Sequence, residues 1–262
     1  MLFDTHTHVN FNAFKNDWRE VVNRALKNDV WLVNAGSNIE TSFRAVKIAE
    51  SYKEGVYAAV GLHPIHVDDE DFDEKQYWEL AKNEKVVAIG ECGLDYYHNQ
   101  EIQNSELRIK NLQKEIFIKH IELAHKIGKP LMIHCREAFN DLIKILGSQS
   151  SILNSLPGAV HFFTGTKENA KTLLEMGFYF TFGGLITFNR DFDEIIKFIP
   201  LENIMLETDA PYVSPAPYRG KRNEPLYIIE TAKKLAEIKG VSLKEILAKT
   251  TGNATVVFGL KI

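Results

Sequence analysis

His6 and His8 stand two residues apart in a short apolar and β-branched run, Leu2–His8. Alternate side chains of a strand share a face, so both imidazoles point one way and can share one cation, while Thr5 and Thr7 point the other. Polar residues close further runs in the same manner: His63 after Val56–Leu62, Glu91 after Val86–Gly90, His134 in Leu131–His134, His161 in Ala159–Phe163, and Glu207 with Asp209 at the end of Ile204–Glu207. Five of the nine histidines fall at such run ends. One buried histidine is usually a satisfied core residue, but five converging with carboxylates make a metal-binding set. Four histidines with Glu and Asp, and no cysteine ligand, suit first-row divalent ions such as Zn²⁺, Mn²⁺ or Co²⁺, with Mg²⁺ where carboxylates and phosphates dominate. The set exceeds the needs of one tetrahedral ion, which predicts two ions sharing a carboxylate at roughly 3.5–4 Å separation. Glu91 is the expected bridge: its charge offsets two cations, and the flanking glycines of Gly90-Glu91-Cys92-Gly93 let other groups approach closely. Cys92 and Cys135 each adjoin a proposed ligand, so alternation turns them into the core.

These residues need elements to position them, and the chain repeats one pattern, a short apolar run followed by a helical stretch. The remaining runs are Val30–Ala35 and Phe178–Phe182, making eight in all. The clearest helix is Glu106–Lys126, with Leu112, Ile116, Ile121, Leu123 and Ala124 on its apolar stripe and Gly128-Lys129-Pro130 ending it. Lys221–Lys239 and Ser242–Lys249 are expected to finish the chain as helices. Eight strand-then-helix units without a Pro, Gly or Ser-rich linker predict an α/β fold, a single-domain (β/α)₈ TIM barrel over residues 1–262. A doubly wound sheet would carry a Gly-rich first turn where Asp4-Thr5-His6-Thr7-His8 stands. In a barrel, polar residues at the carboxyl ends of strands form the active-site rim. The second unit, ending at Asn34-Ala35-Gly36-Ser37, offers no chemistry of its own.

Composition narrows the class further. Of 262 residues, 45% are hydrophobic and 25% charged, which excludes collagen-like and disordered chains. A net charge of −4 argues against coating nucleic acid or an anionic membrane through bulk charge. Two cysteines without a C-x-x-C spacing point to a reducing compartment. With no signal-peptide pattern at the amino terminus and no long uncharged apolar run, the expectation is a cytoplasmic, soluble monomer with no membrane partner.

Taken in order, the motifs resemble those of TatD-family metal-dependent deoxyribonucleases, a branch of the amidohydrolase-like barrels. The resemblance spans the chain. It rests on Asp4-Thr5-His6-Thr7-His8, Gly61-Leu62-His63-Pro64, Gly90-Glu91-Cys92-Gly93-Leu94-Asp95-Tyr96, and Gln113 with Phe117. It continues through His134-Cys135-Arg136-Glu137, His161-Phe162-Phe163-Thr164-Gly165, Glu207-Thr208-Asp209-Ala210-Pro211-Tyr212, Arg219 to Pro225 and Gly252-Asn253-Ala254. It implies that His6, His8 and Asp209 hold one divalent metal ion, that His134 and His161 hold a second, and that Glu91 bridges them. It also implies that His63 acts at the scissile phosphate and that the activity is a 3′-to-5′ exonuclease on DNA, favouring single strands, with RNA a further substrate and DNA repair the setting. Asn10 and Phe162-Phe163-Thr164 depart from the family's usual Asp and Cys-Phe-Ser, but neither departure removes a proposed ligand.

The remaining roles come from position. Asp209 is expected to accept the proton of the attacking water, and Glu207, of the same parity, to orient a ligand from behind. Arg219-Gly220-Lys221-Arg222 places three cations after the eighth strand to grip a phosphate backbone, with Arg136 a further phosphate contact. Tyr212, Pro215 and Tyr218 offer surfaces for stacked bases. The rival readings are another amidohydrolase-type reaction, such as deamination or cleavage of a lactone, an ester or an aminoacyl-tRNA, and a non-catalytic, metal-stabilised binding module. The basic loop favours an anionic polymer over a small neutral ring, and every ligand position is filled.

Overall fold

Parallel strands buried on both faces are the first consequence of those apolar runs. The computed structural model describes residues 1–98, 106–153 and 158–261. Among them are eight strands: β1 (Leu2–Thr7), β2 (Val30–Ala35), β3 (Val56–Val60), β4 (Val86–Asp95), β5 (Leu131–Arg136), β6 (Ala159–Val160), β7 (Tyr179–Phe182) and β8 (Ile204–Leu206). Each pairs in parallel with the next, from β1 through β8. The seam between β8 and β1 is held largely by side chains. Thr5 Oγ1 donates to the Leu206 carbonyl at 2.9 Å, and the buried Asp4 carboxylate accepts from Thr208 N at 2.9 Å and Thr208 Oγ1 at 2.5 Å. Backbone bonds from Asp209 N to His6 O (2.9 Å) and from His8 N to Ala210 O (2.7 Å) continue the closure. The chain is a single-domain (β/α)₈ barrel.

The helices on the outside are α1 (Trp18–Lys27), α2 (Ile39–Glu50), α3 (Glu74–Ala81), α4 (Glu106–Ile127), α5 (Phe139–Ser148), α6 (Ser150–Leu153), α7 (Lys167–Glu175), α8 (Asp193–Phe198), α9 (Ile228–Lys239) and α10 (Leu243–Val257). Reciprocal side-chain caps start two of them, Asn38 with Thr41 at α2 and Thr166 with Asn169 at α7, which satisfies otherwise orphaned N–H groups. Among the described residues no helix is long and apolar enough to cross a membrane. Leu32, Ala58, Val60, Ile133, Phe180 and Leu206 belong to the larger buried cluster, with the helices; Phe3, Val33, Ala59, Ala88, Met132 and Met205 form a smaller one inside the barrel.

Most expected boundaries hold to within two residues, and four differ by more. β4 continues past Gly90 to Asp95, because its pairing with β5 runs on through Asp95 and Arg136. Glycine is required there: a Cβ would lie 2.3 Å from Met132 O at Gly90 and 2.1 Å from His134 O at Gly93. β6 stops at Val160, before Phe162 turns to a φ of 46°. The helix expected from Lys221 begins at Ile228, since Pro225 biases the residue before it, Glu224, to an extended conformation. α10 runs eight residues beyond Lys249, to Val257, taking Gly252 within it on an exposed face.

His120 on α4 is a core histidine of the satisfied kind. Its Nε2 accepts from Leu62 N at 3.0 Å and its Nδ1 lies 2.8 Å from the Ile116 carbonyl, to which it donates. Burial, opposed only by that carbonyl, lowers its pKa from the usual 6.5 to about 4. A histidine kept neutral in the fold contributes stability above pH 6.5 that is lost as pH falls towards 4, because the unfolded chain then binds the extra proton. By pH 5 the loss should reach about 2 kcal/mol, at roughly 1.4 kcal/mol per unit. Urea unfolding at pH 7 and pH 5 tests this. The fall should be smaller by about that amount in His120→Gln, and equal falls in both proteins would contradict it.

Candidate metal centre

The ligand candidates come from different strands but meet at one end of the barrel. The β1–β2 register shifts between Asp4 and Thr7, and the β4–β5 register shifts between Ile89 and Cys92. Such irregularities re-aim side chains, and these lie where His6, His8 and Glu91 emerge. Asp209 and Phe162, at the mouth, hold left-handed φ values of 53° and 46°, a local strain of about 1–3 kcal/mol each that the surrounding packing must support.

One set of donor atoms comprises His6 Nε2, His8 Nε2, Glu91 Oε2 and Asp209 Oδ1. Their separations are 3.0 Å (His6–His8), 3.4 Å (His6–Glu91), 3.6 Å (His8–Glu91), 3.8 Å (His6–Asp209) and 3.4 Å (His8–Asp209). A tetrahedral ion with bonds of about 2.0–2.1 Å separates its ligand atoms by about 3.3–3.4 Å, so the cage has the dimensions of a first-row cation. The other Glu91 oxygen, Oε1, faces a second set: His161 Nε2 at 2.8 Å, His134 Nδ1 at 2.9 Å and His63 Nε2 at 3.1 Å. His134 Nδ1 and His161 Nε2 are 3.2 Å apart. Among the described residues the donor atoms fall into three overlapping groups able to hold a metal ion: His6, Glu91 and His161; His6, His8 and Asp209; and His63, Glu91 and His134.

The far side of each imidazole tests whether a cation fits. His8 Nδ1 lies 2.9 Å from the Ala35 carbonyl, His134 Nε2 lies 3.1 Å from Asp95 Oδ2, and His161 Nδ1 lies 3.5 Å from Glu207 Oε2. The Ala35 carbonyl and the Asp95 carboxylate only accept, so His8 Nδ1 and His134 Nε2 carry the proton; His161 Nδ1 makes no hydrogen bond, but the Glu207 carboxylate beside it favours the proton there, and the site-facing nitrogens of the neutral rings then present lone pairs. His6 turns its Nδ1 to the Met132 sulfur at 3.0 Å. The lone pairs thus oppose one another and the Glu91 oxygens at 2.8–3.6 Å, and only a cation, whether proton or metal ion, relieves that opposition. His63 differs. Its Nδ1 accepts from Ile65 N at 3.2 Å, which leaves a proton on Nε2, aimed at Glu91. His63 is therefore a donor into the site in its neutral form.

The electrostatics agree with a cation site. Burial pushes the Glu91 carboxyl up, but His63, His161 and His6 outweigh it and hold Glu91 well below the usual carboxylate range. Asp209 is likewise lowered against burial, by His8, His6 and His161. Burial lowers His6 and takes His63 to about 4, whereas carboxylates raise His8, His134 and His161 in spite of burial. The field that attracts protons to these rings attracts a divalent ion equally, and the two compete.

Comparison with known proteins follows the same line. The model of TatD related DNases matches residues 3–259. The chain belongs to the TatD related DNase family. It is 40% identical to the uncharacterized metal-dependent hydrolase YabD of Bacillus subtilis (strain 168), over 98% of this chain and 99% of YabD. It is 32% identical to the 3′-5′ ssDNA/RNA exonuclease TatD of Pantoea ananatis, over 99% of this chain and all of that one. The crystal structure of the TatD homologue YJJV from Escherichia coli K12 superposes with a TM-score of 0.88 at 27% identity, covering 99% of this chain and 98% of that one. This TatD-family chain is a metal-dependent hydrolase.

A cavity of about 740 Å³ opens over the donor cluster. Its walls include His63, Arg136 and Tyr212, the last 52% exposed, and the Arg136 guanidinium lies 3.7 Å from the Tyr97 ring centroid. The cations of the Arg219-to-Arg222 loop are not brought to it. Arg222 forks onto Asp17 at 2.9 and 2.5 Å and lies over Phe14, Arg219 lies on the Phe188 ring at 3.7 Å, and Lys221 sits 6.0 Å from the Tyr218 ring. Tyr218 is itself stacked on Tyr227. Arg222→Ala should accordingly cost stability, about 1 kcal/mol or less for so exposed a pair, and leave KM for an oligonucleotide within about twofold. Urea unfolding and initial rates measure both, and a large rise in KM would return Arg222 to the substrate path.

Glu207 lies behind His161, with Thr181 Oγ1 donating to it at 2.5 Å. Sequence reasoning gave no role to Asp95, which backs His134, nor to Phe11, Ser37, Ile65, His66, His98, Phe162, Leu185 and Val213, which line the cavity. Asp95 has the parity of Glu91 on β4, a signal visible once that strand is extended through the glycines.

Proposed function

We propose that this hydrolase cleaves phosphodiester bonds of single-stranded DNA, and of RNA, from the 3′ end, using two divalent ions. The observation that carries the dinuclear reading is the Glu91 carboxylate, whose Oε2 faces His6 and His8 while Oε1 faces His134 and His161. His6, His8, Glu91 and Asp209 would hold one ion, and Glu91, His134 and His161 the other, as Zn²⁺, Mn²⁺ or Mg²⁺. When bound, such ions supply an acidified water and neutralise charge on the attacked phosphate, the two main needs of phosphodiester hydrolysis near pH 7.

The chain's own groups complete the reaction. Asp209, ionised at neutral pH, accepts the proton of the attacking water. His63 Nε2–H donates to a phosphate oxygen, Arg136 pairs with phosphate from the wall, and the exposed Tyr212 ring receives a base. Glu207 and Asp95 keep His161 and His134 in their ligand tautomers. The relative from Pantoea ananatis, named for single-stranded DNA and RNA exonuclease activity, supports this substrate class.

The test is digestion of 5′-labelled single-stranded DNA after reconstitution with Mg²⁺, Mn²⁺ or Zn²⁺, with EDTA as control. Stepwise shortening from the 3′ end, abolished by EDTA, is expected. Intact DNA alongside metal-dependent cleavage of aminoacyl-tRNA or small esters would overturn the substrate and leave the site in place.

A further inference from the structure

The partners behind the four ligand-candidate histidines are a backbone carbonyl for His8, carboxylates for His134 and His161, and, for His6, the thioether of Met132. We propose that Met132 is a positioning residue for the metal centre: by accepting the His6 Nδ1–H, its sulfur fixes His6 in the tautomer whose Nε2 lone pair faces His8, Glu91 and Asp209. The inference rests on the reading of His6 as a metal ligand.

A thioether carries no proton, so a hydrogen bond between His6 Nδ1 and Met132 Sδ has one direction, nitrogen to sulfur. At 3.0 Å the contact is close, and both side chains are buried, Met132 to 2% exposure and His6 completely. With the proton on Nδ1, the lone pair stands on Nε2, inside the cage. The backbone that carries the sulfur is closely packed. β4 passes so near that a Cβ at Gly90 would meet the Met132 Cβ at 2.7 Å, and Cys92 Sγ approaches the Met132 carbonyl at 3.8 Å.

The chemistry of the place explains a methionine there. Met132 belongs to the inner apolar layer with Phe3, Val33, Ala59, Ala88 and Met205. A carboxylate would be buried without a cationic partner in that layer, a large desolvation cost. A leucine would fill the volume and accept nothing. Methionine fills the layer and still offers an acceptor to the ring above it.

The experiment compares wild type with Met132→Leu, Met132→Gln and His6→Ala. Two readouts are taken: long-range ¹H–¹⁵N correlation of histidine-labelled, EDTA-treated protein at mildly alkaline pH, and competition titration with Zn²⁺. Wild type should show His6 protonated at Nδ1. Met132→Leu should shift His6 towards the Nε2-protonated form and weaken Zn²⁺ affinity about tenfold to a hundredfold, and Met132→Gln, which restores an acceptor, should recover both. An Nε2-protonated His6 in the wild type overturns the proposal without any variant. So does a Met132→Leu protein that keeps tautomer and affinity, or a Met132→Gln protein that recovers neither. If His6→Ala binds Zn²⁺ as wild type does, the ligand reading of His6 is what fails.

Discussion

Glu91→Gln is expected to lose both bound metal and activity, the latter by at least about a thousandfold in kcat/KM, because one carboxylate serves every histidine of the site. Its two oxygens lie within 3.6 Å of His6, His8, His63, His134 and His161, and it joins two of the three groups able to hold an ion. Glutamine keeps the shape and one acceptor oxygen, but replaces the other oxygen with an NH₂ that points its hydrogens at lone pairs. The negative charge shared by both halves of the site disappears with it. The measurement is metal content by mass spectrometry after gel filtration, alongside DNA digestion by the same preparation. If only one half of the cluster binds metal in the wild type, Glu91→Gln should lower the stoichiometry from one, and if both bind, from two. A Glu91→Gln protein with wild-type stoichiometry and rate would sink the bridging role.

How far this site could be read before its geometry was known depends on which physical rule each residue obeys. His6 and His8 obey alternation, so their shared face was legible from spacing alone. His134, His161 and Asp209 obey the barrel rule that polar strand ends converge, and the structure brings them together. Asp95 was hidden because the fourth run was expected to end at Gly90, whereas β4 stays paired with β5, close past Gly90 and Gly93, as far as Asp95. The direction of the Arg219-to-Arg222 loop was hidden for another reason. Its charges are ordinary in composition, and only the tertiary placement of Asp17, Phe14 and Phe188 shows where they are spent. Met132 carried no signal at all, since a methionine in an apolar run reads as core until a ring nitrogen is found 3.0 Å from its sulfur.

Asp209→Asn separates holding an ion from moving a proton. Asparagine can keep an oxygen towards His6 and His8, now 3.8 and 3.4 Å from Asp209 Oδ1, so part of the cage survives. It cannot take up a proton. The carboxylate can, because His8, His6 and His161 outweigh the effect of burial and keep it ionised at neutral pH, and it lines the cavity over the donor cluster. General-base catalysis contributes about a hundredfold to ten-thousandfold, so kcat should fall by that range with KM little changed. The corresponding His63→Gln change removes a donor and should cost less in kcat than Asp209→Asn. Steady-state rates over a series of DNA concentrations, with metal content measured in parallel, distinguish the two roles of Asp209. Loss of metal in proportion to loss of rate would make Asp209 a ligand alone. Retained metal with a collapsed kcat would place the proton on its carboxylate, since among the described residues no other carboxylate in the cavity wall is both ionised and turned to the His6–His8 cage except Glu91, whose oxygens are already shared among five rings.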